Sequence, residues 1–382
     1  MTRTLFTEEH DQFRSTVKRF VANEVLPDFD KWEQQGIIDR SLFLKAGELG
    51  LLGMSVPEHL GGGGVDDFRY NAIVNEELYG AGCNGVGLGV AIQNDIVLPY
   101  FLAYCTDEQK ERWLPGIASG ELIIAVAMSE PGMGSDLASM STSAIRRGDA
   151  YVVNGTKTFI TNGINADLVV TAVKTDPTLT HRGISLVVVE RGMDGFERGR
   201  NLDKLGLHSQ DTTELSFTDV AVPAGNLLGV EGAGFVQLVS NLPRERLSMA
   251  VSGVAAARYA LGLTIDYCRH RTAFGQTIGS FQNSRFVLAD LATQIEVGTA
   301  FVDNCIEDFL RGALPPERAA MAKWWCTELQ QRVADRGLQL HGGYGYMSEF
   351  PIARAFADAR VTSIYGGTTE IMKEIIGRSL DL

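Results

Sequence analysis

The spacing of apolar residues changes twice along the chain. In the first third, Phe13, Val17, Phe20, Val21 and Val25 recur at three- and four-residue intervals, the period of a helix with one buried face. Further on, TDEQKERWLPGI opens with Thr106 three residues before Gln109, a capping-box start for another helix. From about residue 121 the segments become short and β-branched: ELIIAVAMSE, SAIRRGDAYVVNGTKTFITNG, DLVVTAVKT, GISLVVVER and TELSFTDVAVP, separated by turn signals such as Arg-Gly-Asp and Asn-Gly. From about residue 233 long helical runs return, RFVLADLATQIEVGTAFVDNCIEDFLRG and ERAAMAKWWCTELQQRVADRGLQL among them, with links short enough for an up-and-down bundle. The expected fold is therefore α+β in three parts: an N-terminal helical domain over 1–122, a middle antiparallel β domain over 123–232 and a C-terminal four-helix bundle over 233–382.

Composition narrows the partners. A chain of 382 residues, 45% hydrophobic and 21% charged, has the make-up of an ordinary globular protein with a real core. Its net charge of −13 argues against nucleic acid, which needs a basic patch, yet leaves room for a local basic pocket that takes a small phosphorylated ligand. The cysteines Cys83, Cys105, Cys268, Cys305 and Cys326 are scattered and form no CxxC, so a reducing, cytoplasmic location is expected. The start, MTRTLFTEEHDQF, has acids where a signal peptide needs an apolar run. No stretch reaches the ~18 apolar residues of a membrane span. The nearest, SMAVSGVAAARYALGLTI, is interrupted by Arg258 and reads as a tightly packed buried helix. GGGGVDD, between the first helices, reads as a flexible surface connector.

Most familiar chemistries are absent. No two histidines stand four apart near other ligands, so no metal site is expected. There is no GxSxG and no Walker sequence, and GVGLGV at 85–90 mimics a dinucleotide fingerprint without a strand before it. Five glycine- and hydroxyl-rich loops remain: AMSEPGMGSD (127–136), TFITNG (158–163), RHRTAFGQ (269–276), LQLHGGYGY (338–346) and IYGGTTE (364–370). Each alone reads as a turn. The last leads into a final helix capped by Thr368 or Thr369, with Ile371, Ile375 and Leu380 as its apolar positions.

In this order, and in a helix–sheet–helix chain, SEPGMGSD, RTAFGQ, LQLHGGYGY and YGGTTEI are similar to the signatures of the acyl-CoA dehydrogenase family, which the chain resembles over essentially its whole length. The resemblance implies non-covalent FAD, a homotetramer, α,β-dehydrogenation of an acyl-CoA thioester to the trans-2-enoyl-CoA in fatty-acid or branched-acyl catabolism, and an electron-transfer flavoprotein as acceptor. It implies that Val126, Met128, Ser129 and Ser135 line the flavin, with Phe159 and Thr161 against its ring. Many members have Trp at the Phe159 position, and Phe keeps a stacking face. Arg271, Phe274 and Gln282 match residues that meet FAD across a subunit interface. Gln339, Gly342 and Gly343 match the loop near its adenosine end, and Thr368 and Glu370 lie beside the same cofactor. Ser135, Arg246, Tyr365 and Gly367 are the implied substrate contacts, Arg246 and Ser135 at the CoA part or its entrance.

The catalytic base needs separate treatment. Many members place a Glu immediately after the Tyr of the last loop, where this chain has Gly366. The long-chain and isovaleryl types carry the base on a helix, in a Glu-Arg-Leu sequence matched here by Glu245, Arg246 and Leu247. Read by itself, Glu245 beside Pro243 is a first-turn helix acid satisfying the helix dipole; read with Gly366, it is the base. Desolvation would raise its pKa, while a helix N-terminus and Arg246 would lower it. The family pattern assigns the backbone N–H of Gly366 to the thioester oxygen. Alternatives are an oxygen-using acyl-CoA oxidase, which usually has a longer C-terminus, and a silent acyl-CoA-binding subunit of a mixed oligomer. Finally, Gly85, Gly87 and Gly89 cluster in a helical stretch that the resemblance sets along the acyl tunnel. They are read either as close helix packing or as room for a medium-to-long or branched acyl chain.

Overall fold

The computed structural model describes residues 3–381. Helix α1 (Glu8–Phe20) passes through one wide turn, Val21–Val25, into α2 (Leu26–Gln35); α3 (Arg40–Glu48) and α4 (Phe68–Gly80) follow. A second wide turn, Ile92–Val97, joins α5 (Asn84–Ala91) to α6 (Leu98–Tyr104). Both wide turns run into a proline at a helix start, Pro27 and Pro99, which has no N–H to continue the regular ladder. α7 (Asp107–Ser119) starts at the expected capping box: Thr106 Oγ1 accepts from Gln109 N at 3.3 Å and Gln109 Oε1 accepts from Thr106 N at 2.9 Å. The GGGGVDD segment is no free connector, because the N–H groups of Gly62, Gly63, Gly64 and Val65 donate to carbonyls of Pro57, Gly53, Val56 and Met54.

The middle of the chain is one eight-stranded sheet: β1 (Ile124–Ala127), β2 (Ser143–Arg147), β3 (Ala150–Thr161), β4 (Leu168–Lys174), β5 (Ile184–Glu190), β6 (Phe196–Asn201), β7 (Thr212–Pro223) and β8 (Leu227–Leu228). Its order is β6-β7-β3-β2-β4-β5-β8, with β1 added on β4. The pairing is antiparallel except at β4, which runs parallel to β1 and, at Ser143↔Lys174, to β2. The Arg147-Gly148-Asp149 signal does mark a hairpin, but Asn154-Gly155 lies inside β3 as a bulge, with Gly155 at φ +145°. All seven residues of β4 are buried. Val170 and Ala172 face a core shared with α6 and α7, and Val169 and Val173 face one closed by β3 and β7.

The C-terminal part is helical. α8 (Gly234–His270) packs on α4, α9 (Gln282–Leu310) and α10 (Pro316–His341); the fourth side is built from the short α11 (Pro351–Ala359) and α12 (Thr369–Arg378). α8 and α9 are joined by a two-strand hairpin, β9 (Thr272–Ala273) and β10 (Gln276–Thr277). By length and composition Asn84–Tyr104 and Gly234–His270 are apolar enough to cross a membrane, but 83% and 67% of their most apolar windows are buried within the protein, as core helices require. α12 is capped by Thr368, whose Oγ1 accepts from Ile371 N at 3.3 Å. Its buried residues are Thr369 and Met372, whereas Leu380 lies past the helix end and is exposed, so the expected apolar face is turned by about one residue.

Candidate active site

Glu245 lies eleven residues inside α8, because the helix begins at Gly234 and carries Pro243 in its interior. The helix N-terminus is therefore too far away to bear on it, which removes one of the two influences expected to lower its pKa. Glu245 is 2% exposed. Tyr100 Oη donates to its Oε1 at 2.8 Å, and Asn241 Nδ2, one helical turn earlier, donates to the same oxygen at 3.0 Å. Oε2 has no hydrogen-bond partner among the described residues and is not sealed off, so the carboxylate has one anchored oxygen and one open oxygen. Burial raises the Glu245 pKa to about 7, with Tyr100, Asn241 and the Arg246 charge pulling it back.

Across from this face of α8 stands the Gly366–Gly367 turn. Both glycines have positive φ, +63° and +93°, which favours residues without Cβ. A Cβ on Gly366 would fall 2.3 Å from Met249 Cε, and Met249 is one helical turn beyond Glu245. Thus the stretch of α8 that carries Glu245 and Met249 packs against the loop that carries Gly366. The Gly366 N–H has no protein acceptor within hydrogen-bonding geometry among the described residues. Arg246 is 4% exposed, and its Nη2 lies 3.8 Å from where a Gly367 Cβ would be. Arg246 thus lies buried against the turn. Tyr365 packs with Met249, Val126 and Met128 in one apolar cluster.

The loop after β1 is tied to this cluster by a pair that sequence reasoning missed. Lys157 Nζ donates to Glu130 Oε1 at 2.9 Å and to Met128 O at 3.0 Å, with both side chains nearly sealed. Ser141 and Thr142 also donate to Glu130, so its pKa falls to about 2 although burial opposes this most strongly. Thr158 N donates to Ser129 O at 2.9 Å, joining the β1 loop to the end of β3. There Phe159 stands 70% exposed at φ +59°, and Thr161 is half-buried. An exposed aromatic in a strained backbone is the kind of feature that persists where a ligand or partner uses it. Ser135 is exposed on the same loop.

Of the remaining predicted cofactor residues, five line two separate surface clefts, and Phe274, Gln282 and Gln339 line neither. Arg271, Gly342 and Gly343 line one; Thr368 and Glu370 line the other. The 269–276 segment is a β-hairpin rather than a plain link, with Phe274 (φ +51°, 96% exposed) and Gly275 (φ +80°) at its tip. Arg271 is exposed and makes no ion pair among the described residues, Gln282 is the exposed first residue of α9, and Gln339 is exposed near the end of α10. A Cβ on Gly342 or Gly343 would meet nothing within 4 Å, so that cleft is an open cradle beside a free guanidinium. These groups suit FAD: the cradle and Arg271 fit a phosphate, and the bare aromatic at Phe159 fits a flat ring.

Of the two readings of the α5 glycines, close packing is the one the structure favours. Gly85, Gly87 and Gly89 leave no space: added Cβ atoms would lie 2.2 Å from Ser209 Oγ, 2.5 Å from Tyr79 Cε2 and 2.5 Å from Gln210 Oε1. The glycines let α5 pack closely on its neighbours and open no acyl cavity. Three residues of this neighbourhood were missed as well. Tyr100 is 145 positions from Glu245 and carries no local signal. Asn241, at the i−4 spacing from Glu245, could have been found. Lys323 looks like any helical lysine until its burial is seen.

Three family models match the chain: acyl-CoA dehydrogenase N-terminal domain over residues 7–121, middle domain over 125–220 and C-terminal domain over 232–380. The mitochondrial long-chain specific acyl-CoA dehydrogenase of Rattus norvegicus is 45% identical over 380 residues, which span 99% of this chain and 88% of the rat protein. A crystal structure of an acyl-CoA dehydrogenase from Geobacillus kaustophilus superimposes with a TM-score of 0.97 at 51% identity, covering 100% of both chains. A glutaryl-CoA dehydrogenase from Mycobacterium smegmatis, in complex with FADH2, has a TM-score of 0.92 at 27% identity, covering 99% of this chain and 96% of its own.

Proposed function

The chain belongs to the acyl-CoA dehydrogenase family, and from that premise we propose that it oxidises the α,β bond of an acyl-CoA thioester to the trans-2-enoyl-CoA with Glu245 as the base. The observation that carries the reading is the buried Glu245 carboxylate, one oxygen held by Tyr100 and Asn241 and the other open, on the helix face that meets Gly366. Oε2 accepts the α-proton. The Gly366 N–H donates to the thioester oxygen as negative charge gathers there, and the buried Arg246 cation offsets that charge. As the α C–H pair moves into the new double bond, the β-hydrogen leaves with its pair. Bound FAD supplies the acceptor for that hydride, at N5 of its ring. Residues that would hold it are Val126, Met128, Ser129, Ser135, Phe159 and Thr161 on the sheet side, and Arg271, Phe274, Gln282, Gln339, Gly342, Gly343, Thr368 and Glu370 on the helical side.

Exposed Phe274, Phe286, Val297 and Tyr346 support a homotetramer whose subunits complete each other's cofactor sites. The three-domain division at about 122 and 232, an electron-transfer flavoprotein as acceptor and a cytoplasmic location, supported by five free buried thiols, belong to the same proposal. The long-chain specific name of the rat relative supports acyl chains longer than butyryl. The test is anaerobic addition of straight and branched acyl-CoA thioesters to the purified holoprotein. Bleaching of the flavin, with slow reoxidation in air, is expected. A flavin that no thioester bleaches would refute the reading, rapid reoxidation would make the protein an oxidase, and greatest activity on butyryl-CoA would overturn the chain-length part.

A further inference from the structure

We propose that Lys323 is a positioning residue for this reaction: from inside the C-terminal bundle it holds the Gly366–Gly367 turn in the shape that offers the Gly366 N–H beside Glu245. The inference rests on the function just proposed and adds to it a group on α10.

Lys323 is fully buried. Its Nζ donates to the Gly367 carbonyl at 2.8 Å, and no carboxylate lies within ion-pair distance of it among the described residues. An ammonium kept in the interior on one carbonyl costs stability that an apolar side chain of the same length would not. Packing does not explain it, and the turn does. Two successive glycines with positive φ have wide conformational freedom, so their shape must be imposed by neighbours. Thr368 fixes one side by capping α12, and Lys323 fixes the carbonyl between the glycines and that cap. Arg246, which makes no hydrogen bond or ion pair among the described residues, approaches Gly367 as well. Two buried cations thus flank the turn where negative charge develops during proton removal.

The charged groups facing Lys323 are Arg246 from α8, Glu328 from its own helix and Glu370 from α12. Burial, with Arg246, brings its pKa down to about 8 against the opposing pull of the two acids. The clamp should therefore lose its charge as pH rises past that value.

The proton step can be read alone. 3,3-Dimethylbutyryl-CoA has α-hydrogens and no β-hydrogen, so its exchange with D2O reports on Glu245 and the turn without dehydrogenation. In the holoenzyme, Lys323→Met should slow exchange about 10- to 100-fold at pH 7 with less than about a threefold change in apparent binding. Wild-type exchange should fall above pH 8, and the variant should lack that limb. Lys323→Gln, which keeps a donor and loses the charge, should exchange at an intermediate rate, also without the limb, and stands in if the Met variant does not fold. Exchange within twofold of wild type in either variant, or an alkaline limb that survives the substitution, would overturn the proposal. Glu245→Gln separates the two claims: if it still exchanges normally, the base assignment falls; if it is dead while the Lys323 variants match wild type, only this inference falls.

Discussion

At the scale of single residues, the central matter is a carboxyl group that must be charged to work and is buried where charge is costly. Glu245→Gln should leave FAD retention and acyl-CoA binding in place and lower the rate of flavin reduction by about 10² or more; rapid-mixing absorbance would read it, and a near wild-type rate would refute the assignment. The same group has a stability signature. Its folded pKa, about 7, lies above its ordinary 4.5. Between those values the native state keeps a proton that the unfolded chain has released, so stability falls as pH rises through the window and levels off above 7. Gln carries no such penalty, so Glu245→Gln should gain on wild type by up to about 3 kcal/mol from pH 4 to pH 8, read from denaturant midpoints. A pH-independent difference would mean that the carboxyl is not buried in solution. Tyr100→Phe removes a donor that stabilises the carboxylate. The acid limb of kcat/KM should then move up by about half a pH unit or more, and a limb that moved down would contradict the geometry.

At the scale of elements, helix α5 shows what residue pattern leaves undetermined. Three glycines at alternate positions signal that side chains are unwelcome, but not whether the space is open or full. Only the neighbours Ser209, Tyr79 and Gln210 decide that it is full. Gly89→Leu should accordingly destabilise the fold by about 1–3 kcal/mol through overpacking, measured by denaturant unfolding; unchanged stability with a shortened chain-length profile would restore the tunnel reading. The same contrast runs through the rest of the chain. Periodicity locates the long helices by their buried faces, and β4 and β5 show as short β-branched runs buried on both sides. It misses β6, whose FERGRN sequence is held by pairing with β7, and the local reading of Pro243 as a first-turn residue misleads, since α8 starts at Gly234 and Pro243 is interior. Glu245 is singled out as a candidate by a three-residue sequence and the complementary Gly366. Tyr100 and Lys323 are not, because their roles arise only from contacts made by residues distant in sequence.

At the scale of the whole molecule, one chain leaves the residues proposed to hold the cofactor apart, Arg271, Gly342 and Gly343 in one cleft, Thr368 and Glu370 in another, and Phe274 bare at a hairpin tip. Arg271→Ala should weaken both FAD retention and assembly, since a phosphate would lose its charged partner at a subunit contact; sedimentation with absorbance at the flavin band reads both, and an FAD-saturated monomer in the wild type would rule out shared sites. The packing of Met249 against Gly366 also bears on where an acid can stand. Returning the acid to the last loop would require Glu at 366, where the backbone has φ +63° and where Met249 Cε would lie 2.3 Å from the new Cβ. Moving the proposed base from α8 to this loop therefore involves a third residue: the end of the Met249 side chain has to swing aside before a side chain fits at 366. Exchanging the residues at 245 and 366 should therefore give slower flavin reduction by acyl-CoA than the same exchange made together with Met249→Ala, so that the base is a property of three positions and not of one.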